Sequence, residues 1–141
     1  MDKTEIMEIL PHRDNMLLVE EAYKNEDGSA TAYYTVRGDE YFLQGHFPDY
    51  PVVPGVILCE MMAQSACVIL GNELKGKTPF YTGMNNVRFR SQARPGDKLR
   101  FECRLLRAKG VFYFTAGKAY VGDRLCAEGE FSFALQPAQK G

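Results

Sequence analysis

GHFPDYPVVPGVILCEMMAQSACVIL, residues 45–70, divides into a stiff loop and a helix. Pro48, Pro51 and Pro54 fix φ at three positions and bias the residue before each away from helix. A loop this rigid holds a side chain in place, and the side chain it holds is His46. Pro54 suits a first helical position, and the next proline is Pro79. Over residues 56–70 apolar side chains lie on every side of the predicted helix, which marks it as buried. The run is too short, and too interrupted by Glu60 and Gln64, for a bilayer span. Glu60 therefore lies in a buried helix, with Gln64 four residues on along the same stripe. A carboxylate rarely enters a core without a partner or a purpose. His46, on the rigid loop upstream, is a candidate partner, and the two make an acid/base pair.

The bounds are those of an ordinary globular chain. Its 141 residues, 45% hydrophobic and 25% charged, read as one domain over 1–141 with a real core. The net charge of −1 creates no global field for nucleic acid. Charge is unevenly spread, however. Residues 1–50 carry 4 Lys and Arg against 11 Asp and Glu, whereas residues 88–109 carry 8 against 2. The basic stretch points to an acidic partner. The start, MDKTEIMEIL, is acidic and has no apolar core of a signal peptide. Cys59, Cys67, Cys103 and Cys126 show neither a CxxC pair nor metal-ligand spacing. They read as small hydrophobes of a reduced, cytoplasmic protein that needs no metal or cofactor and meets no membrane.

Taken in order, residues 4–10 read as a short helix capped by Thr4, and residues 16–24 and 29–36 as two strands joined by a turn at Gly28. A short extended piece, 41–44, leads to the loop and the long helix. Four further strands are expected over residues 80–92, 98–107, 111–121 and 124–135, with tight turns at Gly96 and at Gly122-Asp123. A curved antiparallel sheet wrapped around one long central helix satisfies this pattern, an α+β fold of the hotdog type. One curved sheet cannot cover such a helix on all sides, so a second subunit is expected to supply the rest.

The motifs resemble those of the (3R)-hydroxyacyl-acyl carrier protein dehydratases of fatty-acid synthesis, over about residues 6–135. Pro11-His12-Arg13, followed by Leu17-Leu18-Val19, is similar to that family's opening motif. Residues 45–55 match its active-site loop, Glu60-Met61-Met62-Ala63-Gln64 its helix motif, and residues 95–99 its late PGDxL turn. Met61 stands where the family commonly has alanine, and Asp14-Asn15-Met16 where it usually has a tyrosine-proline-aromatic run. The resemblance implies a substrate carried on acidic acyl carrier protein. It implies a homodimer in which His46 of one chain faces Glu60 of the other, and assembly as a trimer of dimers.

The chemistry can be argued beside it. Dehydrating a β-hydroxyacyl thioester takes a weakly acidic proton from C2 and expels hydroxide from C3. Histidine titrates near neutrality and suits the base. A carboxyl group in an apolar helix has its ionised form disfavoured by desolvation, so Glu60 can be protonated and donate. The Gly55 amide, at the helix start, suits the charge that develops on the thioester oxygen, and glycine there lets substrate approach. Gln64 is expected to orient Glu60. His12 reads as a structural residue of a turn. Tyr33, Phe80, Tyr81, Phe89, Phe112 and Phe114 read as core. Arg88 with Arg90, and Lys98 with Arg100, share strand faces. They read as a solvated surface or as the docking site for the carrier protein. A hotdog thioesterase, a polyketide-pathway dehydratase and an acyl-binding module are the rival readings. A thioesterase needs no proline-clamped histidine, and a binding module needs neither His46 nor Glu60.

Overall fold

The structure is a computed structural model and describes residues 2–10, 12–13, 16–43 and 51–137. Helix α1 (Lys3–Ile9) is capped by Asp2 rather than by Thr4. The Asp2 carboxylate accepts the Glu5 amide at 2.9 Å, and the Glu5 carboxylate accepts the Asp2 amide at 3.3 Å. This reciprocal pair satisfies two end donors at once, which Thr4 alone would not. Beyond the helix, the Arg13 guanidinium donates to the carbonyls of Leu10 and His12 at 2.7 Å and of Met7 at 3.0 Å. It thereby fixes the turn that carries His12.

The strand expected over 16–24 shrinks to β1 (Glu21–Lys24). Leu17, Leu18 and Val19 are consecutive and all buried, which a strand with one covered face does not allow. A side chain replaces the missing strand partner. The Leu18 amide donates to Gln64 Oε1 at 2.8 Å, and Gln64 Nε2 donates to the Met16 carbonyl at 2.7 Å. Strand β2 (Ala30–Thr35) then pairs back antiparallel on β1 across a turn in which Gly28 has φ 88°.

Residues 41–43 form a short 3-10 turn instead of an extended piece. Helix α2 (Gly55–Cys67) follows, and the chain continues in 3-10 turns over Val68–Leu74. These turns are kinked at Gly71, whose φ of 52° suits glycine. The remaining strands are β3 (Lys77–Phe89), β4 (Lys98–Lys109), β5 (Phe112–Val121) and β6 (Arg124–Pro137). The sheet is antiparallel in the order β1-β2-β4-β5-β6-β3. Strand β3 is therefore an edge strand beside β6.

Phe101, Cys103, Ala119, Phe131 and Phe133 of the sheet form one buried core with Met61, Met62 and Ala66 of α2. The helix packs closely on Gly117, where a Cβ would lie 3.3 Å from both Met62 Cβ and Cys103 Sγ. The expected α+β hotdog arrangement, one sheet wrapped on one central helix, is what the chain forms. Beyond the first turn of the helix, the exposure expected on its outer side is largely not found. Leu58, Cys59 and every residue from 61 to 67 are buried within the single chain. Exposed large apolar side chains include Val56 in the first turn of α2 and Phe80, Tyr81, Met84 and Phe89 along β3.

A second buried network braces the segment that leads toward residues 44–50. Glu40 is 6% exposed. It accepts the Tyr34 hydroxyl at 2.9 Å and the amides of Arg37 and Gly38 at 2.9 and 2.8 Å. Burial pushes its carboxyl up, but these donors outweigh burial and hold it below the usual 4.5. Glu40→Ala strands three donors and is expected to cost about 1–3 kcal/mol. Because the folded value is depressed, the wild-type advantage should hold above pH 4.5 and shrink as pH falls through the folded value. Urea melts of both proteins at several pH values check this.

Candidate functional site

Glu60 lies one turn before Gln64 on α2, as the spacing predicts, and the two meet: Gln64 Nε2 donates to Glu60 Oε1 at 2.9 Å. Gln64 is 1% exposed. Its amide bonds also to Met16 and Leu18, so it cannot turn away from the carboxylate. Two residues that sequence reasoning assigned to other duties complete the surroundings. His12 Nε2 stands 3.4 Å from Glu60 Oε1. The Tyr81 hydroxyl donates to Glu60 Oε2. Three elements thus converge on one carboxylate: the turn after α1, helix α2 and edge strand β3. His12 Nδ1 is buried with no partner among the described residues. Nε2 is the ring nitrogen that faces Glu60.

The titration of Glu60 shifts in the direction opposite to the one burial alone would give. Burial does oppose its charge. Hydrogen bonds from His12, Tyr81 and Gln64 outweigh burial, and the carboxyl is held below the usual 4.5. Burial and the nearby Gln64 were legible in the sequence; the other two donors, Tyr81 and His12, come from 21 and 48 positions away. The same carboxylate raises its neighbours. Burial and the Glu60 charge push the Tyr81 phenol and the Cys59 and Cys67 thiols up, so all three stay neutral.

A narrow cavity of roughly 20 Å³ opens beside this cluster, lined by His12, Ala63, Gln64, Cys67, Tyr81 and Phe133 among others. A much roomier depression, about 510 Å³, lies among Asn86, Glu102, Lys118 and Glu128. Its acids already have partners: Glu128 pairs with Arg90 at 2.9 Å, and Glu102 with Arg100 at 3.2 Å. Volume therefore does not mark the site; the donors that converge on one carboxylate do. Among the described residues no group of three His, Cys, Asp or Glu side chains is placed to hold a metal ion.

Gly55 is the first residue of α2, so helix geometry leaves its amide without an internal carbonyl. The Phe89 ring packs against it; a Cβ at Gly55 would lie 2.8 Å from that ring. The space that glycine was expected to leave for substrate is on that side filled by Phe89. His46 lies outside the described residues, as does the rest of 44–50. The four basic residues proposed for docking are all engaged. Arg90 pairs with Glu128, and Arg88 donates to the Val87 carbonyl at 3.0 Å. Arg100 pairs with Glu102 and lies 4.7 Å from the Tyr120 ring, and Lys98 lies 4.7 Å from the Tyr33 ring. Strands β5 and β6 separate the first pair from the second.

Comparison with known proteins bears on what such a site does. Residues 10–130 match the FabA-like domain family. A protein of Clostridium perfringens named 3-hydroxyacyl-acyl-carrier-protein dehydratase FabZ is 44% identical over 137 residues, 96% of this chain and 99% of that one. A protein of the same name from Pelotomaculum thermopropionicum is 43% identical over 139 residues, again 96% of this chain and 99% of the relative. Among solved structures, the dehydratase heterocomplex ApeI:P of Xenorhabdus doucetiae superposes with a TM-score of 0.81 at 23% identity. That match covers 95% of this chain and 91% of the other, and it bears on the fold alone.

Proposed function

Since this chain belongs to the FabA-like family of 3-hydroxyacyl-acyl-carrier-protein dehydratases, we propose that it converts (3R)-3-hydroxyacyl-acyl carrier protein to the trans-2-enoyl thioester in cytoplasmic fatty-acid biosynthesis. The observation that carries this reading is a carboxylate on the central helix, clasped by three donors beside a narrow cavity. In the proposed reaction His46 takes the C2 proton as the C2–C3 double bond forms. Glu60 gives a proton to the C3 oxygen, the C–O bond breaks, and water leaves. The Gly55 amide receives the charge that builds on the thioester oxygen, and Gln64 keeps Glu60 aimed. The three donors hold Glu60 ionised in the free subunit. An acyl chain and a second subunit would bury it further. That adds to the desolvation that opposes its charge, and so favours the proton it must deliver.

Strand β3 supports a second subunit. A 13-residue edge strand that exposes Phe80, Tyr81, Met84 and Phe89 is a template for pairing with another strand. A second copy of this chain is the occupant we propose, in a homodimer that places His46 of one subunit against Glu60 of its partner. A trimer of such dimers is the expected assembly. To test the reaction, the purified protein is supplied with (3R)- and (3S)-3-hydroxyacyl-acyl carrier protein. Enoyl product should form from the first only; no product from either overturns the reading.

The acidic carrier protein is proposed to dock on the basic residues between 88 and 109, guided by charge rather than by a large apolar patch. Charge reversal at Arg88 with Arg90, or at Lys98 with Arg100, should raise KM for the carrier-bound substrate. It should leave turnover of a short pantetheine thioester nearly unchanged. Moderate salt should act like the substitutions, because exposed charges are screened beyond about 8 Å at physiological ionic strength. Equal KM values for wild type and both reversals would place docking elsewhere.

A further inference from the structure

We propose that Tyr81 is a positioning residue for Glu60, fixing the plane of its carboxylate through the oxygen that no other described donor holds. The inference rests on the dehydratase reading above and extends it to a residue outside the motifs that carry the family resemblance. Gln64 and His12 both address Oε1. With one oxygen held, the carboxylate can still swing about its terminal torsion, which is broad for glutamate. The Tyr81 hydroxyl addresses Oε2, and a second fixed oxygen removes that freedom. One direction on Oε2 then remains for the proton that passes to the substrate's C3 oxygen.

The backbone supports this placement. The pairing of β3 with β6 shifts register between Tyr81 and Gly83, and such a bulge re-aims a side chain. The Tyr81 ring lines the same narrow cavity as His12, Gln64 and Phe133. The titratable groups that face Glu60 among the described residues are His12 from the turn after α1, Tyr81 from β3, and the Cys59 and Cys67 thiols of α2. Tyr81 is held protonated by burial and by the Glu60 charge, so at neutral pH it only donates. It also favours the ionised carboxylate, and removing it moves the Glu60 titration upward.

Tyr81→Phe removes one oxygen atom from a half-exposed ring, so the fold should survive; unchanged circular dichroism and melting confirm that it has. Two readouts follow. In the rate assay, kcat should fall on the order of tenfold with little change in KM, since misplacing a reacting group costs up to about 10²-fold. The limb of the pH profile set by Glu60 should move to higher pH. Independently of turnover, carbon-13 NMR of the Glu60 carboxyl in the free protein should show its titration displaced upward in Tyr81→Phe. An active wild type whose variant keeps the same kcat, pH profile and carboxyl titration overturns the role of Tyr81. A wild type that forms no enoyl product overturns the dehydratase reading instead, and the carboxyl titration still decides whether Tyr81 holds Glu60.

Discussion

Glu60→Gln and His46→Ala are each expected to remove dehydration almost completely, by on the order of 10²–10⁴-fold, while the protein stays folded. The proposed elimination needs a base at C2 and an acid at C3 in one transition state, so neither group can stand in for the other. Glutamine keeps the size of Glu60 and fits the same buried stripe. It has no proton to give the leaving oxygen. It also presents an amide where the site offers donors: Gln64 Nε2, His12 Nε2 and the Tyr81 hydroxyl all point at the carboxylate. At most one oxygen of the new amide can satisfy them. Initial rates of enoyl formation, with circular dichroism as the control for folding, check the pair. Near-full turnover by either variant would remove that residue from the mechanism.

The second large effect is a recovery. His46→Ala and Glu60→Gln chains, each inactive alone, are expected to regain activity when mixed and allowed to exchange subunits. The proposed site takes its histidine from one chain and its carboxylate from the other. In a mixed dimer one of the two sites then joins an intact His46 to an intact Glu60, while the other site has neither. With random pairing, about one quarter of wild-type activity should return, because half the dimers are mixed and each has one working site. Subunit exchange is verified by mass spectrometry of differently labelled chains. Verified exchange with no recovered activity would place both residues of a site on one chain.

The central helix was legible because its residues are apolar on every side, a pattern that only burial explains. The sheet was legible for a related reason: strands of alternating polarity are separated by glycine turns, and Gly28, Gly96 and Gly122 do take positive φ. Local chemistry misled where a side chain from far away decided the outcome. Residues 17–19 looked like strand, but Gln64 takes the amide of Leu18 that a neighbouring strand would have used. Asp2 outcompetes Thr4 as a cap because Glu5 lies at the spacing that lets both ends reciprocate.

At the site, Glu60 and Gln64 could be paired from their spacing alone. The approach of His12 depends on Arg13 gripping the end of α1, and that of Tyr81 on β3 crossing to the far edge beside β6. No local pattern encodes either. The lowered titration of Glu60 was not legible for the same reason, since burial can be read from neighbours in sequence whereas the donors His12 and Tyr81, supplied by other elements, cannot. The cover of the helix was misjudged too, because the chain's own N-terminal segment is tied down on it through Gln64.

The claim at the centre of this account is that the site eliminates water and leaves the thioester intact. One measurement addresses it directly. The purified protein is incubated with a 3-hydroxybutyryl thioester, and the reverse reaction is started from the crotonyl thioester. Enoyl absorbance and free thiol are followed together. The account predicts that absorbance rises in the first reaction and falls in the second, toward one common equilibrium, with no thiol released. Thiol release without any change in enoyl absorbance beyond that caused by cleavage would contradict it and identify a thioesterase built on the same fold.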